Sequence, residues 1–202
     1  MEQIINKKVC EFSKKGEILQ TIAIILIALL VPALLPEIIQ TIFGKASVIA
    51  KNSQIIVGSI VNTALIITGL NVKGWKNILF ISTLPSLSAI GSGYIFGNLS
   101  AVTIYMIPGI WLGNFSLIML MKYLYANKKI NYILSAVVSI IVKVGIIFGV
   151  LNIWMAVSIL PNEGAVASTL RNSMGLIQLI TATTGALISM LITKLYFERV
   201  NK

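Results

Sequence analysis

Six apolar runs recur along the chain, at about 18–35, 55–70, 78–96, 101–121, 133–159 and 173–193, separated by shorter polar stretches. Roughly 17–25 apolar residues cross the hydrocarbon core of a bilayer as a helix. The pattern therefore predicts an all-α polytopic membrane protein, a bundle of six transmembrane helices. The second run is short and the fifth long, which predicts tilt or an interfacial extension at Trp154. The first follows the charged stretch "NKKVCEFSKKGE". That start resembles a signal peptide, but the run is too long and lacks a small-residue cleavage site, so it is expected to be a retained first helix.

Composition agrees with this reading and removes most chemistry. Of 202 residues, 57% are hydrophobic and 11% charged, against about 25% charged in an average soluble domain. Histidine and aspartate are absent, and the six glutamates lie away from the middle of every apolar run. Cys10 is the only cysteine. Metal sites need His, Cys or carboxylate ligands, and one cysteine supplies neither a disulfide nor an iron–sulfur cluster. No metal and no cofactor are expected. The net charge of +10 would suit nucleic acid only if the basic residues shared a soluble face. They sit in short loops between apolar runs, so no nucleic-acid partner is expected.

The loops instead set orientation. With six spans both termini share a side, and that side carries twelve lysines and arginines, from Lys7 to Lys202, against Lys45, Lys51 and Arg171 on the other. The excess places both termini in the cytoplasm of a cell-membrane protein. The domain organisation follows: a cytoplasmic N-terminal segment at 1–17, a transmembrane domain at 18–196 and a cytoplasmic tail at 197–202. The longer external connections are 36–54 and 161–172. The first reads either as an amphipathic segment on the outer surface, with Ile38, Ile39, Ile42 and Phe43 on one side, or as a solvated loop.

Polar residues inside the spans come next. At 1.5 Å per residue, Asn62 and Asn114 fall near the midplane, Tyr105, Gln178 and Thr181 in the outer half, and Asn152 and Trp154 at the external end. Unpaired amides and hydroxyls are costly in hydrocarbon. These groups are expected either to line an outer pocket or to bond helix to helix; their gathering at one depth favours a pocket. Gly93 with Gly97, Gly109 with Gly113, and Gly145 with Gly149 form small-xxx-small pairs expected to pack helices closely. Pro85 is expected to kink the third helix, with Ser86 and Ser88 satisfying freed carbonyls. Lys143 is the one charge well inside a span, with no acidic residue placed to pair with it. Its open roles are snorkelling or carbonyl satisfaction, contact with a partner protein, and neutralisation of an anionic substrate.

The stretches "VGSIVNTALIITG" (57–69), "LPSLSAI" (84–90), "MIPGIWLGNFSLI" (106–118) and "LIQLITATTGALI" (176–188) together resemble the substrate-binding S components of energy-coupling-factor transporters. That resemblance implies capture of a vitamin-like or other small micronutrient on the outer side, with the loop between the first two helices as a lid. It also implies a separate transmembrane coupling subunit and ATPase subunits as partners. The absence of a GxxxxGK[ST] loop agrees with a subunit that lacks its own ATPase. One departure is on the first helix: Ala23, Ala28 and Ala33 are spaced by five, whereas S components often present AxxxA to the coupling subunit. Spacing by five walks around a helix instead of lining one face.

Three functions compete. The first is a membrane-embedded substrate-binding subunit whose outer pocket is lined by Asn62, Tyr105, Asn114, Asn152, Trp154, Gln178 and Thr181. Amides give donors and acceptors and aromatics a flat wall, a lining suited to a mostly neutral heteroaromatic ligand. The second is an intramembrane enzyme. It would have to pair a serine such as Ser86 or Ser139 with Lys143; Ser139 shares a helix face with Lys143 but leaves little room for substrate, so no catalytic residue is assigned. The third is a non-transporting scaffold or assembly factor in which the polar residues are packing. A stand-alone channel or carrier is a further reading, but proton coupling is hard to build without intramembrane carboxylates.

Overall fold

A computed structural model describes residues 2–93 and 100–197, and the described residues form helices joined by turns and short irregular links, without a strand. Seven helices carry the architecture: α1 (Lys14–Phe43), α2 (Ser53–Asn71), α3 (Trp75–Ser92), α4 (Ile107–Met121), α5 (Tyr132–Ala156), α6 (Gly164–Met174) and α7 (Leu176–Ile192). Five segments are long and apolar enough to cross a membrane, at Lys14–Phe43, Ser53–Asn71, Ile104–Asn127, Tyr132–Ala156 and Gly164–Leu195. Between the second and third of these lies α3, with 18 residues. Its length of about 27 Å approaches the hydrocarbon thickness. Its start at "WKN" and its four serines keep its mean hydropathy below that of the others.

Local chemistry explains the helix ends. The Ser13 hydroxyl accepts from the Gly16 N–H at 3.2 Å and starts α1, and the Asn131 side chain accepts from the Ile133 N–H at 2.9 Å and starts α5. Each satisfies one orphan donor of a first turn. Gly93 ends α3 in the left-handed region, φ 71°, a conformation with little cost for glycine. It therefore caps the helix. Helix α3 ends at Ser92, positions 94–96 of the expected run lie outside the described residues, and among the described residues no neighbour lies within 4 Å of a Cβ built at Gly93. Its expected partner Gly97 lies outside the described residues.

The connection 36–54 also differs from both expected forms. Helix α1 runs on to Phe43, past Pro32 and Pro36, and ends at Gly44 with φ 78°. Only a short link and one turn, Val48–Lys51, remain before α2. A proline removes one backbone hydrogen bond without ending the helix when neighbouring groups satisfy the freed carbonyls. Ser92 of α3 does this across the interface, donating at 3.3 Å to the Pro32 carbonyl that Pro36 leaves free, and Ser88 donates to the Leu29 carbonyl. Ser86 bonds within its own helix, to the Thr83 carbonyl at 2.9 Å.

Helix α2 is the centre of the bundle. Thirteen of its 19 residues are buried, and it packs against α1, α3, α4 and α7. Helix α1 is the opposite case: Ile24, Ala28, Pro32 and Pro36 form a buried stripe at period four, while Ile18, Leu19, Ile22, Leu26, Leu30 and Leu34 are exposed. Exposed apolar side chains on α5 and α7 extend the same belt. So large an outward apolar surface is untenable in water and normal against lipid. The chain is a membrane protein. On α1 only Ala28 of the three alanines is fully buried; Ala23 faces outward.

Where helices approach closely, glycine allows it. A Cβ at Gly109 would lie 2.9 Å from Val150 Cβ, and one at Gly113 would lie 2.7 Å from Ile147 Cγ1, so these two seat α4 on α5. Gly145 and Gly149 have open space where a Cβ would be. They face away from that contact, a correction to the expected pairing. Unforeseen close contacts join α2 to α7: a Cβ at Gly58 would meet Thr181 at 2.7 Å, and one at Gly185 would meet Asn62 Cβ at 2.7 Å and the Thr63 backbone nitrogen at 2.8 Å.

Below the bundle the N-terminal segment folds back. The Val9 N–H donates to the Leu70 carbonyl at 2.9 Å, the Cys10 N–H to Asn71 Oδ1 at 3.1 Å, and buried Lys122 to the Lys7 carbonyl at 2.7 Å. Lys8 and Lys73 pair with Glu17. Burial lowers the Lys8 pKa, but the hydrogen bond and charge of Glu17 outweigh it and the net shift is upward. Four of the cationic residues of the basic side, Lys7, Lys8, Lys73 and Lys122, thus gather at one end of the bundle.

Candidate functional site

The α2–α7 contact carries a chain of polar side chains. Asn62, 2% exposed, donates from Nδ2 to the Gly58 carbonyl at 2.8 Å and to Thr181 Oγ1 at 3.2 Å. Its Oδ1 accepts from Lys143 Nζ at 2.5 Å. Thr181 in turn donates to the Gln178 carbonyl at 3.2 Å. Gly58 and Gly185 make this geometry: without side chains of their own they let α7 come close enough for the amide of Asn62 to bridge to Thr181.

Beside this chain lies a cavity of about 80 Å³, walled by α1, α2, α3, α4, α5 and α7. Its polar lining is Gln54, Asn62, Ser86, Asn114, Lys143 and Gln178, and Pro32 and Pro85 stand at the two proline breaks. Gln54 and Gln178 lie in the first turns of α2 and α7. Asn62 is about 12 Å deeper along α2 than Gln54, from eight residues at 1.5 Å each. The glutamines therefore mark one end of the cavity and Asn62 the other. Asn114 reaches in from α4 with Nδ2 bonded to the Ser82 carbonyl at 3.0 Å, and Ser86 accepts from Trp111 Nε1 at 2.7 Å. These bonds fix the rotamers of the wall.

Of the seven residues expected to line a pocket, Asn62, Asn114 and Gln178 line this cavity, and Thr181 touches it through Asn62. The other three go elsewhere. Asn152 is exposed and bonds the Phe148 carbonyl of its own helix at 2.7 Å. Tyr105 is 52% exposed. Trp154 packs against a separate apolar cluster around Met106, Leu151 and Met174 and donates to the Tyr105 carbonyl at 3.0 Å. Helical phase turns these three away from the cavity. Gln54, Ser86 and Lys143 also belong to the lining; the sequence singles out Lys143 as a charge inside an apolar run and Ser86 only as a partner of the Pro85 kink or a nucleophile, and Gln54 carries no signal.

Lys143 is close to the middle of α5 and 2% exposed. Its side chain ends inside the bundle on the Asn62 carbonyl, not toward either end of the helix. No carboxylate pairs with it: among the described residues the ion pairs are those of Glu17 with Lys8 and Lys73. Ser139, one turn away, donates to the Ser135 carbonyl at 2.6 Å and is not bonded to Lys143.

Comparison with known proteins gives no match: no family model, curated protein or solved structure is similar to the chain. Function therefore rests on the chemistry of the cavity.

Proposed function

We propose that this chain is a membrane-embedded substrate-binding subunit of an uptake system, taking a vitamin-like or other small micronutrient and working with a separate coupling subunit and ATPases, as the S-component resemblance implies. In this reading α3 is the sixth span, and both termini lie in the cytoplasm of a cell-membrane protein. The observation that carries it is convergence: five helices direct polar side chains into one cavity that α1 completes with Pro32, where apolar side chains would pack better if packing were their only task. The outer ends of α2 and α7, with Gln54 and Gln178, form the entrance. The segment that follows the Pro32 and Pro36 breaks is placed to act as the lid.

Size sets a condition. Drug-sized pockets occupy roughly 300 Å³ or more, and about 80 Å³ admits several waters. In this reading a vitamin-scale ligand needs a wider cavity, which a movement of α1 away from α3 would supply.

One observation favours a second reading, a non-transporting scaffold or assembly factor. Asn62, Asn114 and Thr181 are bonded to one another or to helix carbonyls, as interhelical packing alone would require. Mass spectrometry of the protein purified in mild detergent separates the two. A small molecule retained by the wild type and lost in Asn114→Ala and Gln178→Ala supports the binding subunit. An empty wild type with variants of equal stability supports the scaffold.

A further inference from the structure

We infer that the cavity is an anion site, in which Lys143 receives the carboxylate of a small solute. The inference deepens the proposed binding function by giving the ligand a charge. Lys143 brings three N–H donors to the cavity wall, and one is used, by Asn62. Asn62 is a neutral acceptor, so the bond orients the ammonium without compensating its charge. Every other polar group of the lining is an amide or a hydroxyl. The Asn62 and Asn114 amides each donate to a neighbouring oxygen, while the side chains of Gln54 and Gln178 enter no hydrogen bond with another described residue. The cavity thus holds one positive charge, two unused ammonium donors and two amides, and no carboxylate. A group that fits is a monoanion with two acceptor oxygens.

Volume agrees. The space of about 80 Å³ takes a group the size of several waters, which matches a carboxylate and falls short of a ring system. The negative end of a ligand seats against Lys143 with the cavity as it stands, and any larger remainder lies toward Gln54 and Gln178. The mostly neutral heteroaromatic ligand expected from an amide and aromatic lining is thereby replaced: the cavity also carries one buried base.

The test uses the full chain in dodecyl maltoside, with sodium acetate as the probe and acetamide as its neutral isostere, at constant ionic strength. At ten times its Kd, acetate should raise the melting temperature by about 3–5 °C, and acetamide should not. Lys143→Gln should lose the acetate response. An equal response to acetate and acetamide, no response to 100 mM acetate, or an unchanged response in Lys143→Gln overturns the inference. If Lys143→Gln does not fold, the contrast between acetate and acetamide in the wild type decides. Mass spectrometry of the same preparation distinguishes the sources and separates this inference from the function it rests on. A retained carboxylic acid displaced by acetate supports both, with the carboxylate belonging to a larger solute. An acetate response with no retained solute and no uptake leaves the anion site standing for a free small monocarboxylate and removes the transport reading. A retained neutral solute, held equally by wild type and Lys143→Gln, keeps transport and removes the anion site.

Discussion

Lys143 of α5 donates to Asn62 of α2 at 2.5 Å, and the same asparagine donates to Thr181 of α7 at 3.2 Å. One amide thereby ties three helices and holds a buried ammonium. Replacing it should cost more than an ordinary interhelical hydrogen bond, because the lysine loses its acceptor while remaining buried. Asn62→Leu is expected to destabilise the protein by about 2–3 kcal/mol. Lys143→Met in the Asn62→Leu background should restore part of that loss, since no ammonium is then left unpaired. A double-mutant cycle followed by unfolding in detergent measures it. A coupling energy indistinguishable from zero would show that the two side chains do not depend on each other.

Glycines that look alike in sequence should respond in opposite ways to alanine. Gly185→Ala puts a methyl group 2.8 Å from the Thr63 backbone nitrogen, an atom that moves only if α2 and α7 separate. The expected loss is about 1–3 kcal/mol, with the Asn62–Thr181 bond weakened as well. Gly145→Ala and Gly149→Ala enter open space and should leave stability unchanged or slightly raised. Melting temperatures of the three variants check the order, and a destabilised Gly149→Ala would contradict the geometry.

The contrast between those glycines shows how far the sequence could be read. Hydropathy located the helices because burial in lipid acts on whole segments of about 20 residues, and a few misplaced end residues change little. Helical phase is a finer quantity. Asn62, Asn114 and Gln178 were legible because an amide deep in an apolar run has few acceptable environments. Asn152 was not, because near a helix end the same amide can turn outward onto its own helix. Gly185 and Gly58 belong to no Gly-xxx-Gly pair, and their role depends on α7 lying against α2, a pairing that no single segment encodes. The end of α3 at Gly93 was hidden for a related reason: hydropathy is indifferent to a positive φ.

At the other end of the bundle, the N-terminal segment should be separable from the fold. Cys10 is fully buried, and burial, the largest cause, pushes its thiol pKa above the ordinary value. At a given pH the folded protein therefore holds less thiolate than a free cysteine, and maleimide labelling should be slow until detergent denaturation. Asn71→Ala removes the acceptor for the Cys10 N–H. No other side-chain hydrogen bond goes with it, because Asn71 Nδ2 has no partner among the described residues. A net hydrogen bond of about 1 kcal/mol corresponds to a roughly fivefold gain in opening and so in labelling rate. An unchanged rate would mean that Val9 and Lys122 hold the segment without help from Asn71.

The status of α3 decides the topology, and parity makes it measurable. With α3 spanning, the chain crosses six times and its ends share a side; with α3 lying in the bundle without crossing, five crossings put them on opposite sides. Its polar surface is inward: Ser82, Ser86 and Ser88 are buried, while Leu79, Phe80 and Leu87 are exposed. A helix that hides its serines and shows leucine and phenylalanine outward is built to stand in lipid on that face, which low mean hydropathy alone does not reveal. Fluorescent-protein fusions fluoresce when cytoplasmic, and alkaline-phosphatase fusions are active when exported. Fluorescent fusions at both ends should be bright, and a phosphatase fusion after Asn162 should be active. A bright N-terminal fusion with a dark C-terminal one would reduce the crossings to an odd number and remove α3 from the spans.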